Sequence, residues 1–349
     1  MRVASVASAF PQHYYNQDVL VGALKQHWAG RLKNLQLLDR LQASACVDGR
    51  YLTLPLDAYK RMAGWGEANS KWIEWARRLG QDALCKALTR AGFGPRDLSA
   101  LFVVSITGIA NPSLDARLIN CMGLSPHIKR LPIFGLGCVA GAAGIARAAD
   151  YVRAYPGHVA ALLSVELCSL TIQRDDLSVA NVISAVLFGD GAAAVLVAGA
   201  EKESDGPEIL ATRSVFYPNT EYVMGWDISE KGFEVVLSPD VPVIVERHLA
   251  GDVDSFLTDH GLTRHQIGTW ILHTGGPKVL KATESALKVP AGALDASWEC
   301  LRKVGNLSSA SVLLVLEEFM MHRRPDPGTL SLLAAMGPGF CSELVLLRW

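Results

Sequence analysis

Apolar and polar positions along the chain fall into a pattern that occurs twice. In the first half a helix-like stretch at 75–90 leads to Ala91-Gly92-Phe93, then Asp97-Leu98, then the strand-like apolar run Leu101-Phe102-Val103-Val104-Ser105-Ile106, which ends at Thr107-Gly108. In the second half a helix-like stretch at 245–259 leads to His260-Gly261-Leu262, then Gln266-Ile267, then Thr269-Trp270-Ile271-Leu272-His273, which ends at Thr274-Gly275-Gly276. Gly92 and Gly261 are separated by the same interval as Leu98 and Ile267, so the register holds across a helix, a turn and a strand.

The correspondence continues downstream. Gly137-Cys138 opens an alanine-rich helix that closes near Tyr155-Pro156-Gly157 before a strand at 158–165; Gly305-Asn306 opens a helix at 308–322 that closes at Pro325-Asp326-Pro327-Gly328 before a strand at 329–335. Each half ends in a Gly-x-Gly turn that feeds a last strand, Gly189-Asp190-Gly191 and Gly337-Pro338-Gly339. The charged segment Glu201-Lys202-Glu203-Ser204-Asp205 separates them. These features predict an α/β protein built from two pseudo-twofold-related halves, 1–200 and 201–349. The helix that follows Cys138 is small on every side, as expected of a helix buried between two layers. Residues 31–75 have no counterpart in the second half, carry Trp65, Trp72 and Trp75, and form a candidate cap over a pocket.

Composition narrows the function classes. With 349 residues, 50% of them hydrophobic and 19% charged, the chain can bury a large core, and 33 basic against 34 acidic side chains give no field that points to nucleic acid or an anionic membrane surface. The N-terminus enters a strand-like pattern at once without a secretory signature, which implies the cytoplasm. The longest uncharged central stretch, 131–146, is too short and glycine-rich to span a bilayer. The 7 cysteines are an odd number without a Cys-x-x-Cys pair, and His-Glu-x-x-His is absent, so neither a disulfide framework nor a metal site is expected.

The repeat places Cys138 and Asn306 at equivalent helix starts and His273 at a strand end. A cysteine at a helix N-terminus has its thiolate favoured by unpaired backbone N–H groups and the helix dipole. Beside an imidazole it suits acyl transfer, in which Sγ attacks a thioester carbonyl and holds the acyl group as a new thioester. Loss of carbon dioxide from a malonyl thioester leaves an enolate, for which a histidine N–H and an asparagine amide are two suitable donors. Taken singly, each residue also has a structural reading: a core thiol, a satisfied strand-end histidine, a helix cap. Gly135-Leu136-Gly137-Cys138-Val139-Ala140 matches a dinucleotide-binding pattern, but the preceding apolar run is broken by Pro132 and no acidic residue follows at the required distance.

Five blocks in order carry a family resemblance: Gly135-Leu136-Gly137-Cys138-Val139-Ala140-Gly141, Leu187-Phe188-Gly189-Asp190-Gly191-Ala192-Ala193, Leu272-His273-Thr274-Gly275-Gly276-Pro277, Val304-Gly305-Asn306-Leu307-Ser308-Ser309-Ala310-Ser311 and Met336-Gly337-Pro338-Gly339-Phe340. Over essentially its full length the chain resembles the type III polyketide synthases, the chalcone synthase family. The resemblance implies a thiolase-like αβαβα fold, a homodimer, and extension of a starter acyl-CoA with malonyl-CoA before cyclisation. Coenzyme A thioesters are then substrates, and no cofactor is expected. It carries a Cys-His-Asn triad onto Cys138, His273 and Asn306, a gatekeeping phenylalanine onto Phe188, pocket positions onto Cys168, Thr171 and Ser308, and a pocket turn onto Gly337, Pro338 and Gly339. Arg50 falls where the family has a basic cluster for coenzyme A phosphates. A second gatekeeping phenylalanine of chalcone synthases is Val235 here, which predicts a wider pocket and, with the tryptophan-rich segment, a long aliphatic starter giving an alkylpyrone or alkylresorcinol. The alternative is a tetrahydroxynaphthalene-synthase-like enzyme using malonyl-CoA only, although that group carries a further cysteine where this chain has Thr171. An initiating ketoacyl synthase would show a His-Gln-Ala-Asn run in place of His273-Thr274-Gly275-Gly276, and a non-catalytic partner subunit would lack the nucleophile.

Overall fold

A computed structural model describes the whole chain, Met1–Trp349. The strands in chain order are β1 (Arg2–Ala9), β2 (His13–Asn16), β3 (Gly49–Leu52), β4 (Leu98–Val104), β5 (Lys129–Ile133), β6 (Val159–Leu167), β7 (Asp190–Ala198), β8 (Glu208–Phe216), β9 (Met224–Ser229), β10 (Gly232–Leu237), β11 (Ile267–Leu272), β12 (Leu330–Gly337) and β13 (Cys341–Arg348). The helices are α1 (Gln17–Trp28), α2 (Gln36–Ala45), α3 (Leu56–Arg61), α4 (Trp65–Ala91), α5 (Leu114–Met122), α6 (Ala140–Ala154), α7 (Val179–Leu187), α8 (Val241–Thr258), α9 (Pro277–Leu287), α10 (Asp295–Val304) and α11 (Ser311–Met321).

Strand alternation builds the layers. On β4, Phe102 and Val104 face one side and Leu101 and Val103 the other; on β12, Leu333 and Ala335 oppose Leu332 and Ala334. The first set from each half packs on α6 and α11, while the second packs on α4 in the first half and on α8 and α9 in the second. Five layers result, helix–sheet–helix–sheet–helix, with α6 and α11 at the centre. The main sheet runs β11-β12-β13-β8-β1-β7-β6-β4-β5, and its halves meet at the pairing of Arg2 with Glu208. Strands β6 and β7 are buried along their whole length, which explains why they read as continuous apolar runs.

The repeat is visible in backbone detail. Gly92 and Gly261 both adopt left-handed φ, +70° and +69°, and the next residue closes each helix end, Phe93 N–H donating to Leu88 O at 3.1 Å and Leu262 N–H to Leu257 O at 2.9 Å. Two elements differ from expectation. Helix α4 starts at Trp65, so the three tryptophans sit on it; its first two turns precede the stretch that matches α8 and extend the unmatched segment's end into a helix. The helices expected to begin at the Cys138 and Asn306 turns are each preceded by a short 3₁₀ turn, Gly137–Val139 and Ser308–Ala310, so that α6 starts at Ala140 and α11 at Ser311.

The two central helices touch through Gly141, where a Cβ would come 2.3 Å from Ser309 O and 2.8 Å from a Val312 methyl. Gly141→Ala is therefore expected to lower stability in chemical denaturation by about 1–3 kcal/mol. Gly66→Ala, in the exposed start of α4 where a Cβ meets nothing within 4 Å, is expected to cause no loss.

Candidate active site

Two glycine-bearing turns set the position of Cys138. Gly137 holds a left-handed φ of +52°, and a Cβ there would lie 2.7 Å from the Pro338 ring; a Cβ on Gly337 would lie 2.6 Å from Val139 N and 2.8 Å from Leu136 O. The Gly337-Pro338-Gly339 turn therefore packs directly on the cysteine turn. Pro338 reaches the pocket wall, whereas Gly339, with φ +64°, shapes the turn behind it.

Cys138, His273 and Asn306 line one cavity together, although His273 follows β11 and Asn306 follows α10. Asn306 is clamped by its main chain: its N–H donates to Leu187 O and its carbonyl accepts from Gly189 N–H, both at 3.0 Å. Its side-chain Oδ1 accepts from Ser308 N–H at 2.8 Å and from the Ser311 hydroxyl at 3.4 Å. With Oδ1 so committed, Nδ2 is the donor end of the amide: one N–H reaches Gly275 O at 3.4 Å and the other is left for a ligand. Both ring nitrogens of His273 are buried and unpartnered, unlike those of a structural histidine, which finds hydrogen bonds.

Burial dominates the electrostatics. It pushes the Cys138 thiol up to about 12, with the nearby Glu166 carboxylate adding to the rise and the Ser308 hydroxyl, 3.6 Å from Sγ, opposing it. It holds the His273 imidazole down at about 4. At neutral pH the pair is thus thiol and neutral imidazole, not the preformed thiolate expected from a helix N-terminus. In that state imidazole can take the thiol proton during attack and can also offer an N–H to an oxyanion.

Glu166 and Thr107 escaped the sequence reading. Glu166 is fully buried within β6, and its carboxylate accepts from Ile106 N–H at 3.1 Å, from the Thr107 hydroxyl at 3.0 Å and from the Ser309 hydroxyl. Burial raises it to about 7 despite those bonds. Thr107 joins this network to the wall beside Cys138. The available signal was the single acid in an otherwise apolar strand, Val-Ala-Ala-Leu-Leu-Ser-Val-Glu-Leu.

Phe188, Cys168, Thr171, Val235 and Ser308 all line the cavity on the other side of Cys138, as expected of pocket residues. The width expected from Val235 is not there, because its direct partner across the β9–β10 hairpin is Trp226, whose ring borders the same space. The cavity measures about 60 Å³, and so does the one holding His273 and Asn306. Arg50 also departs from expectation. It is 2% exposed and donates to Phe188 O at 2.6 Å, beneath the gate and not at a surface where coenzyme A phosphates would lie.

Family models and known proteins match the chain along nearly its whole length. Residues 3–201 match the family model for the chalcone and stilbene synthase N-terminal domain, and 208–349 match the one for the C-terminal domain, on either side of the charged linker. The chain is 50% identical over 99% of its length to 1,3,6,8-tetrahydroxynaphthalene synthase of Streptomyces peucetius subsp. caesius, covering 93% of that protein. It is 35% identical to a putative chalcone synthase of Bacillus subtilis, over 99% of this chain and 98% of the relative. The crystal structure of 1,3,6,8-tetrahydroxynaphthalene synthase from Streptomyces coelicolor superposes with a TM-score of 0.95 at 30% identity, covering 100% of this chain and 99% of the other. Fold, site and these matches identify the chain as a member of the chalcone and stilbene synthase family, a type III polyketide synthase.

Proposed function

We propose that this enzyme uses malonyl-CoA as both starter and extender and closes the product into a small polyhydroxylated aromatic, as a 1,3,6,8-tetrahydroxynaphthalene synthase does. The observation that carries this reading is Trp226 opposite Val235, which takes back the width expected beside Cys138. The alkylpyrone and alkylresorcinol reading rested on a wide pocket at Val235, so with Trp226 across from it that reading loses its support. The relative with 50% identity points the same way. Naphthalene's carbon skeleton divides into five two-carbon units, so malonyl groups alone supply it.

Cys138, His273 and Asn306 carry the steps. The thiol proton passes to His273 as Sγ attacks the thioester carbonyl, and coenzyme A leaves with that proton as its thiol. When a bound malonyl thioester then loses carbon dioxide, the enolate oxygen is held by an N–H of His273 and by Asn306 Nδ2. The enolate carbon attacks the acyl carbonyl on Cys138, the carbon–sulfur bond breaks to leave Sγ as a thiolate that takes up a proton from solvent, and the lengthened chain is carried on the coenzyme A of the malonyl unit. Phe188 stands between the two cavities that flank Cys138 and gates passage between them. Retention of all three reacting groups argues against a non-catalytic partner subunit.

The assembly we propose is a homodimer formed across β5. This strand is one of the two edges of the sheet, and Leu131 on it, Phe134 just after it and Ile109 in the segment after β4 are 45%, 47% and 42% exposed.

Purified enzyme given malonyl-CoA alone is expected to release a ten-carbon aromatic, identified by mass spectrometry, and Cys138→Ala to release none; faster extension of octanoyl-CoA than of malonyl-CoA would defeat the reading. Trp226→Gly is expected to open the pocket and admit octanoyl-CoA as starter. Because burial holds the thiol near 12, inactivation by iodoacetamide should keep accelerating as pH rises from 7 to beyond 9, and a plateau below pH 7 would instead indicate a thiolate–imidazolium pair. Leu131→Asp should shift the mass from two chains to one in mass photometry.

A further inference from the structure

Behind the wall of the catalytic pocket lies a larger chamber of about 730 Å³, enclosed by α1, β3, α3, the start of α4, the segment 169–177 and the β9–β10 hairpin. The 3₁₀ turn Cys168–Thr171 is the partition: Cys168 and Thr171 border the catalytic pocket, Ser169 and Leu170 the chamber, and Ile172 both. None of the three reacting residues lines this chamber. Its body is apolar, with Leu24, Trp28, Leu56, Trp65 and Leu170 among the walls.

Within that apolar lining sits Arg50. A guanidinium has five N–H donors, and this one makes a single hydrogen bond, to Phe188 O; its Nε is buried without a partner. The carboxylate whose charge it feels, Asp190, accepts from Thr53 and Ser169 and forms no ion pair with it. A buried guanidinium whose one nearby carboxylate is bonded elsewhere keeps unused N–H donors, and these favour an anion in the same space. Around the mouth the charges nearly balance: Lys60, Arg174 and Lys231 stand against Asp175, Asp176, Glu230 and Glu234, with Asp175 bound by Arg31 and Glu234 by Lys231. Arg174 shapes that mouth by donating to Tyr59, Lys60 and Met62 carbonyls. The buried guanidinium therefore decides the preferred charge of an occupant.

We propose that this chamber is a second ligand site, which takes one amphipathic organic anion with its carboxylate on Arg50 and an apolar body of about ten heavy atoms between Trp28, Leu56 and Trp65. The carboxylate accepts the unused N–H groups of Arg50, and the body covers walls that no side chain of the protein fills. The site is separate from the catalytic pocket, since its occupant lies beyond the Cys168–Thr171 partition.

Decanoate is the probe, titrated calorimetrically into the full-length enzyme with decanol as the neutral isostere. One decanoate per chain is expected, with decanol weaker by about tenfold or more. Ala23→Trp, on the α1 wall, should weaken decanoate by about tenfold while malonyl-CoA consumption stays at the wild-type rate. Arg50→Gln should bring decanoate and decanol to within about threefold of each other; if that variant does not fold, the decanol comparison and Ala23→Trp decide the matter. Equal binding of decanol and decanoate by the wild type overturns the proposal, as does undiminished binding by Ala23→Trp. Displacement of decanoate by coenzyme A, or its loss once iodoacetamide caps Cys138, would put the ligand in the catalytic pocket and likewise overturn it. None of these outcomes depends on which aromatic the enzyme makes, so the product assignment stands or falls separately.

Discussion

Everything else in the molecule depends on the close backbone contact between its two halves at the centre. Helices α6 and α11 meet where Gly141 faces Ser309 O, and the turns that precede them carry Cys138 and Asn306. Apolar inner faces of both half-sheets close around this pair, so the contact is held by the largest continuous core of the fold. A side chain at Gly141 would push the halves apart and with them the two turns. The seam thus fixes the geometry of the site as well as the fold.

Placing chemistry at a seam inside the protein makes desolvation the ruling electrostatic effect. Water is excluded around Cys138, His273 and Glu166, and each is driven toward its neutral form. The hydrogen bonds that would relieve this are unevenly distributed. Glu166 receives several and remains part of the scaffold, whereas His273 receives none and keeps its donor and acceptor for a substrate. Asn306 lies between these cases, with its carbonyl end tied to Ser308 and Ser311 and its amide end holding Gly275 O through one N–H while the other is unused. That division separates groups that hold the site from groups able to act in it.

Pocket volume follows another local rule, the pairing of side chains across a hairpin. Val235 and Trp226 are direct neighbours on β10 and β9, so a small residue at one position is offset by a large one at the other. Beneath the gate, Arg50 occupies the close approach between Gly189 and Gly305, where a Cβ would collide with Val304 O in one case and with Leu187 O in the other. The two glycines let the backbone at Phe188 and Asn306 lie side by side in a single bridge, and the guanidinium caps Phe188 O.

By itself the sequence determined the duplicated α/β plan, the division at the charged linker and the candidates Cys138, His273 and Asn306. These depend on local signals, on the period of apolar positions and on glycines at turns, which recur at a constant interval in both halves. It did not disclose Glu166, whose role comes from Ile106, Thr107 and Ser309 converging from distant segments. Nor could it show that Trp226 fills the space given up at Val235, because that requires the strand register. The Arg50 motif suggested a phosphate contact at the surface; folding of β3 beneath Phe188 buries the charge instead. Ionisation, pocket size and the direction of each polar atom were decided only in the tertiary structure, since each depends on how much water and which neighbours remain after the layers close.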